Sequence, residues 1–377
     1  MFSSIGFKDQ VVPVNGKTKI DVTLQEDNEL LEEVVVVGYG VQKKSDVTGA
    51  IASVDEKSFG NRSVDNVAAA FAGKTSGVQI IADSGDPSSI GKIRIRGVSS
   101  NDSGASDPLY IVDGLQVSDL SSVDPQNVKS IEILKDAASA AIYGAQAGNG
   151  VVVITTKTGE KTEKGVGQIF YNGSYTIQRI GTVPKMMNAA QYKEYQLGLG
   201  YLSESTFNQY WDGKTDFDWV KGLFPGGWAQ RHQVGFRGAN DRASLYTSIS
   251  YSKNNGILYG DSDVMDRLNF QLNADYKIKD WLKIGTTNTF QVRKSSDRIG
   301  GYAGGDGSVL AYAVALDPCT PMSYPANKLP EWMQYDLDRG MELLTLPNGE
   351  YLAPSMFSAQ VRNPLISIYR YKDSLSS

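Results

Sequence analysis

The sequence predicts an α+β domain followed by the first antiparallel strands of a transmembrane β-barrel, with a partial β-sandwich hairpin at the N-terminus. Three observations predict it. Residues 128–157, VKSIEILKDAASAAIYGAQAGNGVVVITTK, read as strand, short Ala-rich helix, tight turn and strand. From residue 163 the pattern changes to strict alternation of apolar and polar residues. No apolar run approaches the roughly 18 residues that a membrane-spanning helix requires. Barrel strands escape that test, because their alternation leaves the mean polar.

Composition narrows the function. A chain of 377 residues exceeds one ordinary domain. Twenty Tyr, five Trp and 39 Gly suit a β-rich protein with aromatic interfacial rings and tight turns. A net charge of −5 argues against nucleic acid as a partner. The single cysteine, Cys319, allows no internal disulfide and no cysteine-based zinc site. The single histidine, His232, allows no His-based triad or metal cluster within the chain. Asp212, Asp216 and Asp218 in WDGKTDFDW could bind calcium or sugar hydroxyls, but a solvated loop is the simpler reading. The expectation is therefore no enzyme, no cofactor and no metal. Met1-Phe2-Ser3 has no basic or apolar leader after it, so the chain reads as beginning inside a longer product.

In residues 1–30, Val12 and Val14, then Ile20, Val22 and Leu24, alternate around Asn15-Gly16, which is a hairpin signature. Residues 31–40 follow. Glu33, Val34, Val35, Val36, Val37, Gly38, Tyr39 and Gly40 form an acid-flanked valine run that favours extended backbone. It suits either a buried strand or an exposed segment that adds to a partner's sheet. The superficial G-x-G-x-x-G here fails, since Lys43 holds the third glycine place and the next residues make a poor helix.

Residues 41–162 hold the α+β domain. Strands are expected at 47–54, 77–81, 93–97 and 108–114, the last ending in an Asp113-Gly114 turn. A helix is expected over 64–72 with Ser63 as its cap, and another over 137–141 capped by Asp136. Ile93 and Ile95 alternate with Arg94 and Arg96, giving one buried and one polar face. VVVITT is apolar enough for burial on both faces.

Residues 163–377 supply the wall. Leu268, Phe270, Leu272, Ala274, Tyr276 and Ile278 share one face of a strand, and Asn269, Gln271, Asn273, Asp275 and Lys277 share the other. A polar face of that length suits a watery lumen rather than a sandwich core. Strands are also expected near 168–178, 229–238, 242–253 and from Trp281, with a sixth starting near 364–371. Short connections at 239–241 and 279–280 alternate with long ones at 182–227, 254–263 and after 295, as when turns face the periplasm and loops face outward. The loop over 182–227 carries Trp211, Phe217 and Trp219, whose rings could stack on sugars or anchor a partner. Phe224 and Trp228 suit the interfacial girdle.

SIEILKDA, AIYGA and NGVVVITTKTG resemble the end of the plug domain of TonB-dependent outer-membrane receptors, and in particular the SusC/RagA-like branch. IRIRG and PLYIVDG recur in the same order in such plugs. The resemblance implies that 1–30 end a carboxypeptidase-regulatory-like β-sandwich, that 31–40 are a TonB box contacting TonB through Glu33 to Gly40, and that 41–162 are the plug. It makes 163–377 the N-terminal portion of a barrel of roughly 22 strands, so the chain is expected to be a fragment. Gln146 stands where the branch commonly has arginine, which removes a charged latch at that position. The implied function is energised uptake of oligosaccharides or peptides across the outer membrane, with a SusD-like surface lipoprotein as lid. A siderophore or cobalamin receptor is the alternative within transport, and a soluble β-rich adhesin or binding module is the alternative outside it.

Overall fold

Runs of β-branched residues broken by Gly, Asn and Asp give the first half short strands, whereas uninterrupted alternation gives the second half long ones. The computed structural model describes Val22 and residues 34–37, 40–43, 51–56, 66–81, 86–97, 106–136, 140–160, 167–183, 185–260, 262–296, 309–357, 363–365 and 368. The hairpin expected around residues 12–24 lies outside them except for Val22, and Glu33, Gly38 and Tyr39 lie outside them too. Val34–Val37 (β1) pairs antiparallel with Gly40–Lys43 (β2) as a two-stranded ribbon that joins no other strand among the described residues.

The α+β domain comprises β3 (Ile51–Asp55), α1 (Val67–Phe71), β4 (Val78–Ile81), β5 (Lys92–Ile95), β6 (Leu109–Val112), β7 (Leu115–Val117), β8 (Val128–Leu134) and β9 (Val151–Thr156). A five-stranded sheet runs in the order β3-β8-β9-β6-β7, and only β6 and β9 pair in parallel. β4 and β5 form a separate ribbon that packs Ile93 and Ile95 on Ile131, Ile133, Val152 and Ile154. Val151 and Val153 point the other way, onto Leu134, Ala140 and Ala147. β9 is thus buried on both faces, as its unbroken apolar run predicts.

Two local details differ from the sequence reading. Asn66 caps α1 by accepting the Ala69 N–H at 2.7 Å, three residues after the expected cap, Ser63, which is outside the described residues. The Ala-rich segment continues as a 3₁₀ helix, Ala141–Asn149, broken at Gly144, where φ is 71°. Gly150, which ends this segment, is a second positive-φ glycine, with φ of 91°. At Gly150 an added Cβ would lie 2.8 Å from Ile95 Cδ1 and 3.0 Å from the Leu134 carbonyl. Gly150→Ala therefore combines a left-handed strain with overpacking and is expected to cost about 2 kcal/mol or more, read as a lowered denaturant midpoint. The Asp113-Gly114 turn forms with φ of 47° and 85°, the mirror-image geometry that matches strand twist.

The second sheet is an antiparallel meander of β10 (Gln168–Gln178), β11 (Gly227–Ala239), β12 (Ala243–Asn254), β13 (Met265–Lys279) and β14 (Leu282–Ser295) in chain order. Residues 240–242 and 280–281 are the short turns. The long connection after β10 carries α2 (Ala189–Gly198), α3 (Glu204–Tyr210) and α4 (Trp219–Leu223). The stretch after β14 adds α5 (Val309–Ala315), β15 (Ser323–Tyr324), α6 (Glu331–Asp338) and β16 (Tyr351–Leu352), which share an apolar core with the first long connection.

A sixth strand does not begin near 364–371 among the described residues. Pro364, Leu365 and Ile368 are helical. Asn363 accepts the Leu365 N–H at 3.0 Å and opens the turn. Leu365 and Ile368, three apart, then both point into the loop core, a helical spacing rather than a strand's.

Burial on this sheet is inverted. Gln233, Ser248, Ser250, Asn269, Gln271 and Asn273 are at most 5% exposed, while Ile169 is 77%, Tyr171 64% and Phe290 63% exposed. Burying polar side chains and exposing apolar ones would be costly in water. It is the burial of a lipid-facing wall around a polar interior.

Candidate functional site

The buried polar face of the wall meets one short segment of the α+β domain. In DPQN, residues 124–127, Asp124 accepts the Gln126 N–H at 3.0 Å and Pro125 occupies the first position of a 3₁₀ turn. Proline's fixed φ needs no hydrogen there, so the turn is stiff and aims Asn127 at the wall. Asn127 Oδ1 accepts from Gln233 Nε2 at 2.7 Å, Tyr246 Oη at 2.9 Å and Ser248 Oγ at 2.9 Å. Asp124 Oδ2 accepts from Ser250 Oγ at 2.5 Å and Asn269 Nδ2 at 3.2 Å. The wall's register makes this possible, because Gln233, Ser250 and Asn269 are direct cross-strand neighbours.

Arg231 Nη1 lies 4.0 Å from Asp124 Oδ1, and Arg231, Arg267 and Asp124 are all under 5% exposed. Burial works to raise the Asp124 pKa. The Arg231 and Arg267 guanidiniums, with the Ser250 and Gln126 hydrogen bonds, outweigh it and hold the carboxyl below its ordinary range. A depressed carboxyl contributes stability that is complete above its unfolded pKa, about 3.9, and is lost as pH falls through the folded value. The contact should therefore hold unchanged from neutral pH down to about 4. Protease protection of the α+β domain measured against pH checks this, and loosening between pH 5 and 6 would contradict it.

Further bonds extend the seam. Asn273 Nδ2 donates to Thr156 Oγ1 and to the Lys157 carbonyl, both at 2.7 Å. Thr156 Oγ1 donates to Asp113 Oδ2 at 2.7 Å, linking wall to turn. Gln291 Nε2 donates to the Ser121 carbonyl at 3.1 Å, and Arg293 Nη2 to the Ser88 carbonyl at 2.9 Å. Beside these contacts a cavity of about 350 Å³ opens between Leu115, Asn127, Gln271 and Thr289.

The residues expected in the outer loop separate. Trp219 is 2% exposed and donates Nε1 to the Asp317 carbonyl at 3.0 Å, so it belongs to the loop's own core, at the floor of the cleft described next. Phe217 meets Trp219 edge-on at 5.0 Å and lines a cleft of about 360 Å³ with Met186, Tyr192, Asp216 and Lys221. Trp211 is half-buried, donates Nε1 to the Thr215 carbonyl at 2.8 Å, and lies edge-on to Phe207. Phe224 is buried in the loop core, whereas Trp228 stacks on Tyr175 at 5.8 Å on the outer face. Asp212, Asp216 and Asp218 each accept backbone N–H groups, from Thr215, Ala189 and Lys221 respectively. Among the described residues no group of three or more His, Cys, Asp or Glu is placed to hold a metal. Burial pushes the Cys319 thiol up to about 12, which leaves it a poor nucleophile.

The TonB-dependent Receptor Plug Domain family matches residues 43–151. TonB-dependent receptor P26 of Formosa agariphila is 34% identical over 307 residues, covering 80% of this chain and 31% of that protein. TonB-dependent receptor SusC of Bacteroides thetaiotaomicron is 30% identical over 337 residues, covering 85% of this chain and 31% of that protein. The RagAB peptide importer in its open-open state superposes with a TM-score of 0.63 at 31% identity, covering 78% of this chain and 35% of that one. The chain belongs to the SusC/RagA-like TonB-dependent receptors. It spans about a third of the length of the relatives it matches.

In this family's terms the α+β domain is the plug and the meander is part of the barrel wall. The Asp124–Asn127 contact is then a plug-to-barrel latch. It is neutral at Asn127 and charged at Asp124, and neither residue is at Gln146, whose side chain instead accepts from Gln116 within the plug at 3.1 Å. Sequence reasoning missed this latch. The available signal was the pairing of a stiff Asx-Pro turn with an unusually polar inward face on three successive strands.

Proposed function

We propose that the full receptor is an outer-membrane importer that takes up an oligosaccharide or a peptide through TonB-driven displacement of the plug. The inverted wall with a plug segment hydrogen-bonded to its polar face is the observation that carries this reading. A soluble adhesin would not expose Ile169, Tyr171 and Phe290 on one continuous face. The short turns at 240–242 and 280–281 face the periplasm with the plug's N-terminus, and the helical connections face outward.

The segment Glu33 to Gly40 serves as the TonB box. Among the described residues only β2 pairs with Val34–Val37, so its other edge can take a further strand, which is how TonB engages it. A SusD-like lipoprotein covers the outer loops as a lid. The import reading is supported by relatives named for SusC and for a peptide importer, which also favour it over a siderophore or cobalamin receptor. Uptake of labelled oligosaccharide and peptide pools by cells with and without the receptor gene tests it. Import of neither class, with import of a metal chelate instead, would overturn it.

Within the loop layer, Trp211 and Phe217 are the proposed contacts to ligand or lid. Trp211→Ala with Phe217→Ala should weaken binding of ligand or lid roughly 2–10-fold, the size of one lost aromatic contact of about 0.5–1.5 kcal/mol. Trp219→Ala should act differently. Removing a ring buried in the loop core is expected to cost about 3–5 kcal/mol of local stability, seen as faster proteolysis of residues 182–227. If all three changes leave affinity and proteolysis alone, the loop has neither role.

A further inference from the structure

The plug carboxylate Asp124 sits in a receptor that the wall alone builds. Ser250 Oγ and Asn269 Nδ2 donate to its Oδ2, Arg231 Nη1 lies 4.0 Å from its Oδ1, and the Arg267 guanidinium adds a second positive charge. These four wall side chains are at most 4% exposed. They stand on β11, β12 and β13, each of which has a paired neighbour on both sides. Arg231, Ser252 and Arg267 form one cross-strand row, and Gln233, Ser250 and Asn269 form the next. Two strand spacings of about 4.8 Å put the arginine backbones roughly 10 Å apart, a span that two such long side chains close around one carboxylate.

The wall brings no acid of its own to this place. The carboxylates on β10 to β14 are Asp266 and Asp275. Asp266 has the outward parity and accepts the Tyr251 hydroxyl at 3.0 Å. Asp275 lies at the short-turn end of β13, 3.3 Å from Lys283. Register extends the arginine row to Arg293, which donates to the Ser88 carbonyl of the plug. The anion between Arg231 and Arg267 is thus lent by the plug, near the long-loop end of the wall.

We propose that Arg231, Arg267, Ser250 and Asn269 form a carboxylate-binding site for the imported solute, which Asp124 occupies while the plug is seated and a solute carboxylate takes over when it moves. The carboxylate is that of a uronic acid in a glycan or of an acidic side chain in a peptide. The assignment rests on the import reading above, with the long loops outward. Asp124 shows by its own fit what the donors accept: one oxygen takes two neutral hydrogen bonds and the other faces a guanidinium. Withdrawing it takes the anion from between two guanidiniums held away from water, which is costly. A solute carboxylate restores that anion, and a neutral sugar or amide does not. Arginines lining a passage also favour anions within it. The site therefore selects acidic solutes and favours the displaced plug when one arrives.

The test measures binding to the full receptor in detergent by calorimetry. The probes are a uronic-acid tetrasaccharide, an end-blocked tetraglutamate peptide and the carboxamide form of each. At least one acidic probe should bind ten times more tightly than its carboxamide, and which one does so names the source of the carboxylate. Asp124→Asn removes the competing anion, so that probe should bind at least fivefold more tightly than to wild type, with its carboxamide unchanged. Adding Arg231→Gln and Arg267→Gln should abolish the gain. In that triple variant all three charges leave together, so no lone charge is buried. No gain from Asp124→Asn, a gain that survives the loss of both arginines, or equal binding of acid and carboxamide overturns the site. Uptake of neutral oligosaccharide and peptide pools is scored beside it. A receptor that imports a pool but shows no gain refutes the site alone. One that shows the gain but imports neither pool refutes the import reading and leaves the carboxylate site standing.

Discussion

A receptor lacking residues 33–40 should hold its nutrient at the cell surface with unchanged affinity and import none of it. The argument starts from Val34–Val37, a four-residue strand whose companion, Gly40–Lys43, forms a ribbon joined to no other strand among the described residues. Two-stranded ribbons are marginal in water, so the segment is available for pairing with another sheet. Strand addition then offers several backbone hydrogen bonds in parallel, which resist pulling together along the strand. Deletion removes that handle without touching the wall or the loops. Energised uptake should fall to the level of a strain without TonB, at least about 100-fold for an active transport step worth roughly 3 kcal/mol. Surface binding should stay within about twofold. Val35→Pro with Val37→Pro should reproduce the loss, because proline removes the donors that strand addition needs. Normal uptake by the deletion strain would show that the force enters elsewhere.

The wall was legible because each of its strands separates two solvents, so period-two alternation in RLNFQLNADYKI translates directly into a face. Strands read at 168–178, 229–238 and 242–253 agree to within two residues at each end with Gln168–Gln178, Gly227–Ala239 and Ala243–Asn254. The plug strands were legible for another reason, their β-branched runs between turn residues. Short helices were less so. α1 has five residues, too few for periodicity to fix its start, and Asn66 rather than Ser63 supplies the cap. The latch was not legible at all, since Asn127 bonds to Gln233, Tyr246 and Ser248 from more than a hundred residues away. Nor could the loop aromatics be sorted, because Trp219 and Trp211 differ in burial through packing against residues 309–357 and Phe207 rather than through any local pattern.

Asp124→Ala should loosen the plug without any input from TonB. The substitution leaves Arg231 and Arg267, each 4% exposed, beside a methyl group in place of the carboxylate. Removing one side of a buried ion pair costs about 3–5 kcal/mol, because the remaining charge stays desolvated. Asn127→Ala should have a smaller effect. It strands the Gln233, Tyr246 and Ser248 donors together, at about 1–3 kcal/mol for a buried donor left unsatisfied, reduced where a side chain can turn to water. Both changes act on the contact between plug and wall. The expected readout is therefore a leak, with entry of a large antibiotic that the outer membrane normally excludes rising at least tenfold in cells lacking TonB. Protection of plug residues 106–160 from protease should fall in parallel. Asp124→Asn keeps the shape and most hydrogen bonds while deleting the charge, so it separates the two contributions. A leak like that of Asp124→Ala means the ion pair holds the plug, and a leak like wild type means the hydrogen bonds do. If Asp124→Ala leaves both permeability and protease protection at wild-type levels, the segment 124–127 only fills the wall's polar face, and the plug is retained by the contacts at Ser88, Ser121 and Thr156 instead.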